Sequence, residues 1–306
     1  MKRRLKLALA IAKDAGDGWL TDNCTRLGAS LSYYTVFSIG PLILIAVAVA
    51  GIFFGKDAAQ KQIYETLGSF VGSNGASAVA EVAKGAAQTS TSVIATIVGI
   101  LTLVFGATGV FGELHSALNS IWKVEPKQGK SIWAFFRERV LSFAMVMSVG
   151  FLLLVSLLTT AVLSAVGDWL SSHLPGGAVL WQVVNFVLSL FIISGIFGLI
   201  FKFVPDIHLP WKPIFPAAVV TGILFSLGKF ALGFYIGKTN VASSYGAAGS
   251  LIVVVVWVYY SAQILYFGAE LVRAQVADDH IQVEPKAIAQ AVQPKPSPAG
   301  TVIAPT

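Results

Sequence analysis

"KFALGFYIGKTNVASSYGAAGSLIVVVVWVYYSAQILYFGAEL", Lys229–Leu271, holds two apolar runs separated by a short stretch of small and polar residues. Each run belongs to a segment long enough to cross a hydrocarbon layer as a helix, which takes about 20 apolar residues. The β-branched string "LIVVVVWVYY" would favour a strand in water. Its length and its neighbours make it a spanning helix instead, because lipid offers no partner to an open backbone. Lys229 lies inside the first run and Glu270 at the end of the second.

The rest of the 306-residue chain follows that lead: 56% of it is hydrophobic and 12% charged, with mean hydropathy +0.76. A soluble domain carries about 25% charged residues, so the composition is that of a membrane protein. A single cysteine, Cys24, excludes an internal disulfide framework and a Cys-rich metal site. The net charge of +6 is read as topology-determining Lys and Arg rather than a nucleic-acid surface.

Six segments have spanning length: 31–55, 92–112, 140–166, 179–204, 214–237 and 247–271. Of the 21 Lys and Arg, sixteen fall in the N-terminal segment, the second and fourth loops and the C-terminal tail, against four in the other loops. Basic residues mark the cytoplasmic side. The expected fold is therefore an all-α, polytopic membrane protein with six transmembrane helices and both termini cytoplasmic. Trp122, Trp133, Trp169 and Trp181 fall near span ends, where tryptophans sit at the membrane interface.

The expected organisation is a basic interfacial segment over 1–22, a six-helix domain over 23–273 and a largely disordered cytoplasmic tail over 274–306. The N-terminal "KRR" and "LKLALAIA" resemble a signal peptide, but Lys6, Lys13 and Asp14 interrupt the apolar run. A basic helix lying on the inner leaflet is the preferred reading. "TDN", Thr21–Asn23, is an expected N-cap for the helix that follows. The first external loop, 56–91, reads as two short amphipathic helices, with Ile63, Leu67, Phe70 and Val71 on one face. The Pro- and Ala-rich sequence beyond about 282 is what suggests a disordered tail.

Polar residues inside the spans are the candidate site. Lys229 is eight residues from the outer end of the fifth span, about 12 Å at 1.5 Å per residue. Gly222, Ser226, Lys229, Gly233 and Gly237 form one helical stripe, and small residues mark helix contacts in membranes. Lys229 is thereby aimed into the bundle. The alternatives are a snorkelling or carbonyl-bonded lysine and a cation that attracts an anionic ligand. A solute path would take in Lys229, Pro41, Gln182, Asn185, Tyr259 and Gln263, with Pro41 kinking the first span by removing a helical hydrogen bond. An inner polar cluster would gather Tyr33, Tyr34, Ser38, Glu113, His115 and Glu270; interfacial tyrosines and helix-end polar groups are the plainer account of it. The sequence has no HExxH, G-x-S-x-G or phosphate-loop motif, so no catalytic, metal-binding or cofactor-binding residue is assigned and no cofactor is expected.

"GASLSYYTVFSIGPLILIAVAVAGIFFG", "ALNSIWKV" and "SSYGAAGSLIVVVVWVYYSAQILYFGAEL" resemble the YihY/BrkB family of bacterial membrane proteins in its first span, its second-loop signature and its last span. The similarity runs from about Gly28 to Leu271 and leaves the two termini aside. It implies a bacterial inner-membrane protein of six helices. Many members carry the name ribonuclease BN, and the family brings no agreed catalytic residues. The expected function is a non-enzymatic transporter or exporter of a small solute, an anion by the sign of Lys229. The rival is an envelope scaffold or lipid-interacting protein, and a membrane ribonuclease ranks third. Expected partners are membrane lipids and a small solute, with no specific nucleic acid; a homo-oligomer is compatible with the sequence.

Overall fold

A computed structural model describes residues 2–55, 57–58, 60–61, 63–65, 80, 109–127, 177–238 and 247–292. These are mostly helical. In chain order they give α1 (Lys2–Thr21), α2 (Cys24–Phe54), α3 (helical over 109–121), β1 (Val124–Pro126), α4 (Gly177–Phe203), β2 (Ile207–His208), α5 (Trp211–Lys238), α6 (Ala247–Asp278), β3 (Glu284–Pro285) and β4 (Ala289–Ala291).

Among the described residues, three helical segments are long and apolar enough to cross a membrane: Val183–Phe203, Trp211–Leu232 and Ile252–Asp278. They correspond to the expected fourth, fifth and sixth spans. Helix α2 contains the expected first span, including Pro41. The second span meets the described residues only at 109–112, and the third lies outside them. Val183, Phe186, Val187 and Phe191 on α4, with Phe215, Leu227, Phe230 and Phe234 on α5, are exposed. In water such a surface would be a liability; in hydrocarbon it is the outer face of a spanning helix.

Helix α6 is the hub, packed against α1, α2 and α5, while α4 pairs with α5. The sequence allows these close approaches by placing glycine where a partner's side chain arrives. A Cβ on Gly28 of α2 would strike the Gln263 amide, and one on Gly228 of α5 would strike the Tyr260 ring. Aromatic rings fill the wider gaps: Phe225 of α5 meets Phe197 of α4 at 5.6 Å and Trp257 of α6 at 5.9 Å between centroids, both edge-on. At the far end of α6, Val254 and Val258 pack with Val47, Ile63 and Tyr64. Ile63 thus reaches the bundle, while Leu67, Phe70 and Val71 lie outside the described residues.

The larger core lies at the opposite end, the base, where α1, the tail up to residue 292 and the loops after α3 and α4 meet. Leu118, Ile121, Phe201, Ile207, Ile214, Tyr266 and Val272 are among its buried members. Two expectations change here. Asn23 occupies the N-cap position of α2 with φ 53°, but its side chain makes no cap bond. Its Nδ2 donates to the Thr21 carbonyl at 3.3 Å instead, because a left-handed residue turns its side chain away from the helix amides. The second change concerns the tail. Over 274–292 it is ordered: α6 continues to Asp278, β3 pairs antiparallel with β2, and β4 pairs antiparallel with β1. Composition suggested disorder, but backbone pairing to the two loops supplies what the tail's own side chains cannot. The residues from 293 onward lie outside those described.

Candidate functional site

Two buried polar clusters stand in the base among the described residues. In the first, Asp22 between α1 and α2 is buried and accepts from two cations. Lys123 Nζ donates to its Oδ1, and Arg273 Nη1 donates to its Oδ2 at 2.7 Å. The same Nη1 reaches Glu270 Oε2 at 3.3 Å. Glu270 is only 2% exposed and lies against α1 at Gly18, where a Cβ would press on its carboxylate. A buried carboxylate is tolerated when paired and hydrogen-bonded, and one guanidinium here serves two of them. Cys24 adjoins the cluster and is fully buried. Burial first, then the negative charge of Glu270 and Asp22, pushes its thiol up to about 12, so it stays protonated and unreactive.

The second cluster ties α3 to the loop after α4. Asn119 and Asp206 exchange two hydrogen bonds: Asn119 Nδ2 donates to Asp206 Oδ2 at 2.9 Å, and the Asp206 amide donates to Asn119 Oδ1 at 2.8 Å. His115 Nε2 stands 3.0 Å from the same Oδ2. Burial alone would raise the Asp206 carboxyl, but the hydrogen bonds and charge of His115 and the Asn119 amide outweigh it and hold the group below its ordinary range. The tail closes the cluster. The Lys286 amide donates to the Asp206 carbonyl at 2.8 Å, and Lys286 Nζ donates to the carbonyls of Phe203 and Pro205 at 3.1 and 2.7 Å. Burial lowers the Lys286 ammonium from its usual range.

Between base and bundle interior, α6 carries a polar seam. Gln263 Nε2 donates to the Cys24 carbonyl at 3.3 Å, which leaves Gln263 Oε1 buried with no partner among the described residues. Tyr266 Oη and Glu270 Oε1 share that condition. The three positions follow i, i+3, i+7 spacing and so face one side of α6. Gln263 also borders a shallow apolar groove of about 310 Å³, lined with Gly16 and Trp19 of α1, Leu224 of α5, and Ile264 and Phe267 of α6.

The inner cluster expected from sequence divides. Glu270 joins Asp22, Lys123 and Arg273, whereas His115 joins Asp206 and Asn119. Ser38 is buried, near Tyr34 and Gly109. Tyr33 and Tyr34 are 62% and 41% exposed and meet edge-on, with Phe37 beside Tyr33. They face outward rather than joining the carboxylates, because their stretch of α2 presents its aromatic side to the surroundings. Glu113 is half-buried on α3.

The expected path residues also separate. Lys229 is half-buried on α5, one position from the Gly228–Tyr260 contact. Gly222, from its stripe, packs on Ser194 of α4. Asn185 is exposed and Tyr259 half-buried. Gln182 and Pro41 are placed on helices α4 and α2, and their side chains lie outside what is described. Among the described residues that line the groove beside Gln263, Lys229 does not figure. Asp22, Asn119 and Asp206 were not among the site residues expected from sequence, although Asp22 stands in "TDN" and Asn119 in "ALNSIWKV"; the signal for them was an acid or amide standing in a loop or helix end otherwise marked by basic residues.

Apolar helices of spanning length, close helix contacts at glycines and charges gathered at one end define a helical membrane protein. The chain belongs to the family described as virulence factor BrkB, whose profile matches residues 15–292. It is 26% identical to a UPF0761 membrane protein of Alcanivorax borkumensis over 83% of this chain and 58% of that protein. A UPF0761 membrane protein of a Psychrobacter species is 26% identical over 83% of this chain and 46% of its own length. One from Pseudoalteromonas translucida is 25% identical over 87% and 86%. The chain thus spans about half the length of the first two relatives and most of the third. No solved structure matches it.

Proposed function

We propose that the protein is a multi-pass transporter or exporter of a small solute in the bacterial inner membrane, without enzymatic activity. In this reading six helices span the membrane and the base, with both termini, faces the cytoplasm. The carrying observation is the seam on α6, where Gln263, Tyr266 and Glu270 each keep a buried oxygen with no partner among the described residues. Polar groups in a spanning helix are costly, and those that persist mark solute or ion pathways. The half-buried Lys229 on α5 adds a positive charge towards the other side, which makes an anion the charge-matched solute.

The apolar groove beside Gln263 favours a second reading, a lipid-interacting protein with no transport cycle. The two are separated by comparing the metabolites retained by proteoliposomes carrying the wild type with those carrying Lys229→Met. The transport reading predicts a solute whose flux falls at least about tenfold in the variant while insertion and folding persist, as expected when a charge-assisted contact is removed. Equal flux in both would take the lysine out of the mechanism. A ribonuclease reading would require RNA degradation by the purified protein that is lost on replacing Glu113 or Glu270.

A further inference from the structure

We propose that the groove between α1, α5 and α6 is a binding site for one anionic phospholipid of the leaflet on the termini side. Its lining is apolar apart from the Gln263 amide, and it lies open beside α1. Such a surface suits a hydrocarbon chain rather than a hydrated solute. The floor is Leu224, Ile264 and Phe267; Gly16 and Trp19 form the α1 wall.

Helix α1 supplies the charge. It carries five basic against two acidic side chains. Leu9, Gly16 and Leu20 are spaced by seven and four residues and form one stripe, and Leu9 and Leu20 are 63% and 66% exposed. That exposed apolar stripe runs through Gly16 into the groove. Lys6 and Lys13, both exposed, are themselves seven residues apart and form the neighbouring stripe. Asp17 follows Lys13 by one turn, whereas no acidic residue lies within a turn of Lys6. A helix with exposed leucines beside exposed lysines lies in the interface with its lysines at phosphate level. A chain in the groove therefore brings its headgroup to Lys6 and Lys13. The binding stands on this geometry and not on the transport reading.

The test uses the purified full-length protein in detergent, with phosphatidylglycerol and phosphatidylcholine of identical acyl chains as probes. Native mass spectrometry and thermal unfolding supply the readouts. The wild type retains one phosphatidylglycerol about tenfold more tightly than phosphatidylcholine, as two lysines near an anionic headgroup imply. Gly16→Leu adds bulk at the groove wall, where a Cβ built on residue 16 meets nothing within 4 Å. Added lipid no longer raises its unfolding temperature, and it retains neither lipid; the comparison is made within the variant because Gly to Leu in a helix shifts stability by itself. Lys6→Gln with Lys13→Gln keeps lipid binding but loses the preference for phosphatidylglycerol. Three results would overturn the site: equal retention of the two lipids by the wild type, undiminished retention by Gly16→Leu, or a change of oligomeric mass in Gly16→Leu, which would make the groove a contact between copies.

Discussion

At the residue scale, the base is governed by two aspartates that hydropathy does not highlight. Asp206 was invisible to periodicity because its partners stand far away in sequence: His115 and Asn119 precede it by 91 and 87 residues. His115 was legible as a polar residue at a helix end, but not its choice of carboxylate. The Asp206 carboxyl is lowered in the folded protein, so its contribution to stability is present above the unfolded value near pH 4 and is lost as pH falls through the folded value. Asp206→Asn should cost about 1.5–3 kcal/mol at neutral pH, the range for hydrogen bonds to a charged group. The gap between wild type and variant should close as unfolding is followed below about pH 4; a gap independent of pH would place the effect elsewhere. Cys24 offers a second check. Being buried with a raised thiol, it should resist maleimide in the folded protein at pH 7 and react fully after denaturation. Prompt labelling of the folded protein would contradict the packing of α2 on α6.

At the element scale, the helices were legible and the strands were not. Expected spans 179–204, 214–237 and 247–271 fall within α4, α5 and α6 almost entirely, because a hydrocarbon layer imposes length and apolarity that read directly from sequence. Strands of two or three residues impose no such pattern. Pro285 and the alanines around residue 290 even argue against pairing by propensity. What holds β3 and β4 is supplied by their partners: the loop carbonyls that Lys286 caps and the ladders to β1 and β2. The tail therefore straps the loop after α3 to the loop after α4. Glu125 and Gln290 stand directly opposite in the β1–β4 register, within the Cα separation of a disulfide. With Cys24 replaced by serine, Glu125→Cys with Gln290→Cys should cross-link on mild oxidation and shift mobility under non-reducing conditions. Failure of the two half-buried thiols to cross-link would mean that the strap is not closed.

At the scale of the whole molecule, the partition of charge and grease carries the architecture. The apolar faces of α4 and α5 look outward, and the ion pairs of Asp22, Lys123, Arg273, His115 and Asp206 gather at one end. The Lys and Arg bias predicts that this end is cytoplasmic. The candidate site was legible only in part: Gln263 and Glu270 stood out as polar residues in an apolar span, whereas their burial beside Tyr266 and the division of the polar groups between two clusters depend on contacts between distant segments.

The most direct measurement is the labelling of single cysteines in intact cells with a membrane-impermeant maleimide, starting from a chain in which Cys24 is serine. Six spans with cytoplasmic termini require positions 75 and 173 to label from outside and position 128 to label only after the cytoplasmic side is opened. Labelling of 128 in intact cells, with 75 and 173 protected, would contradict the account.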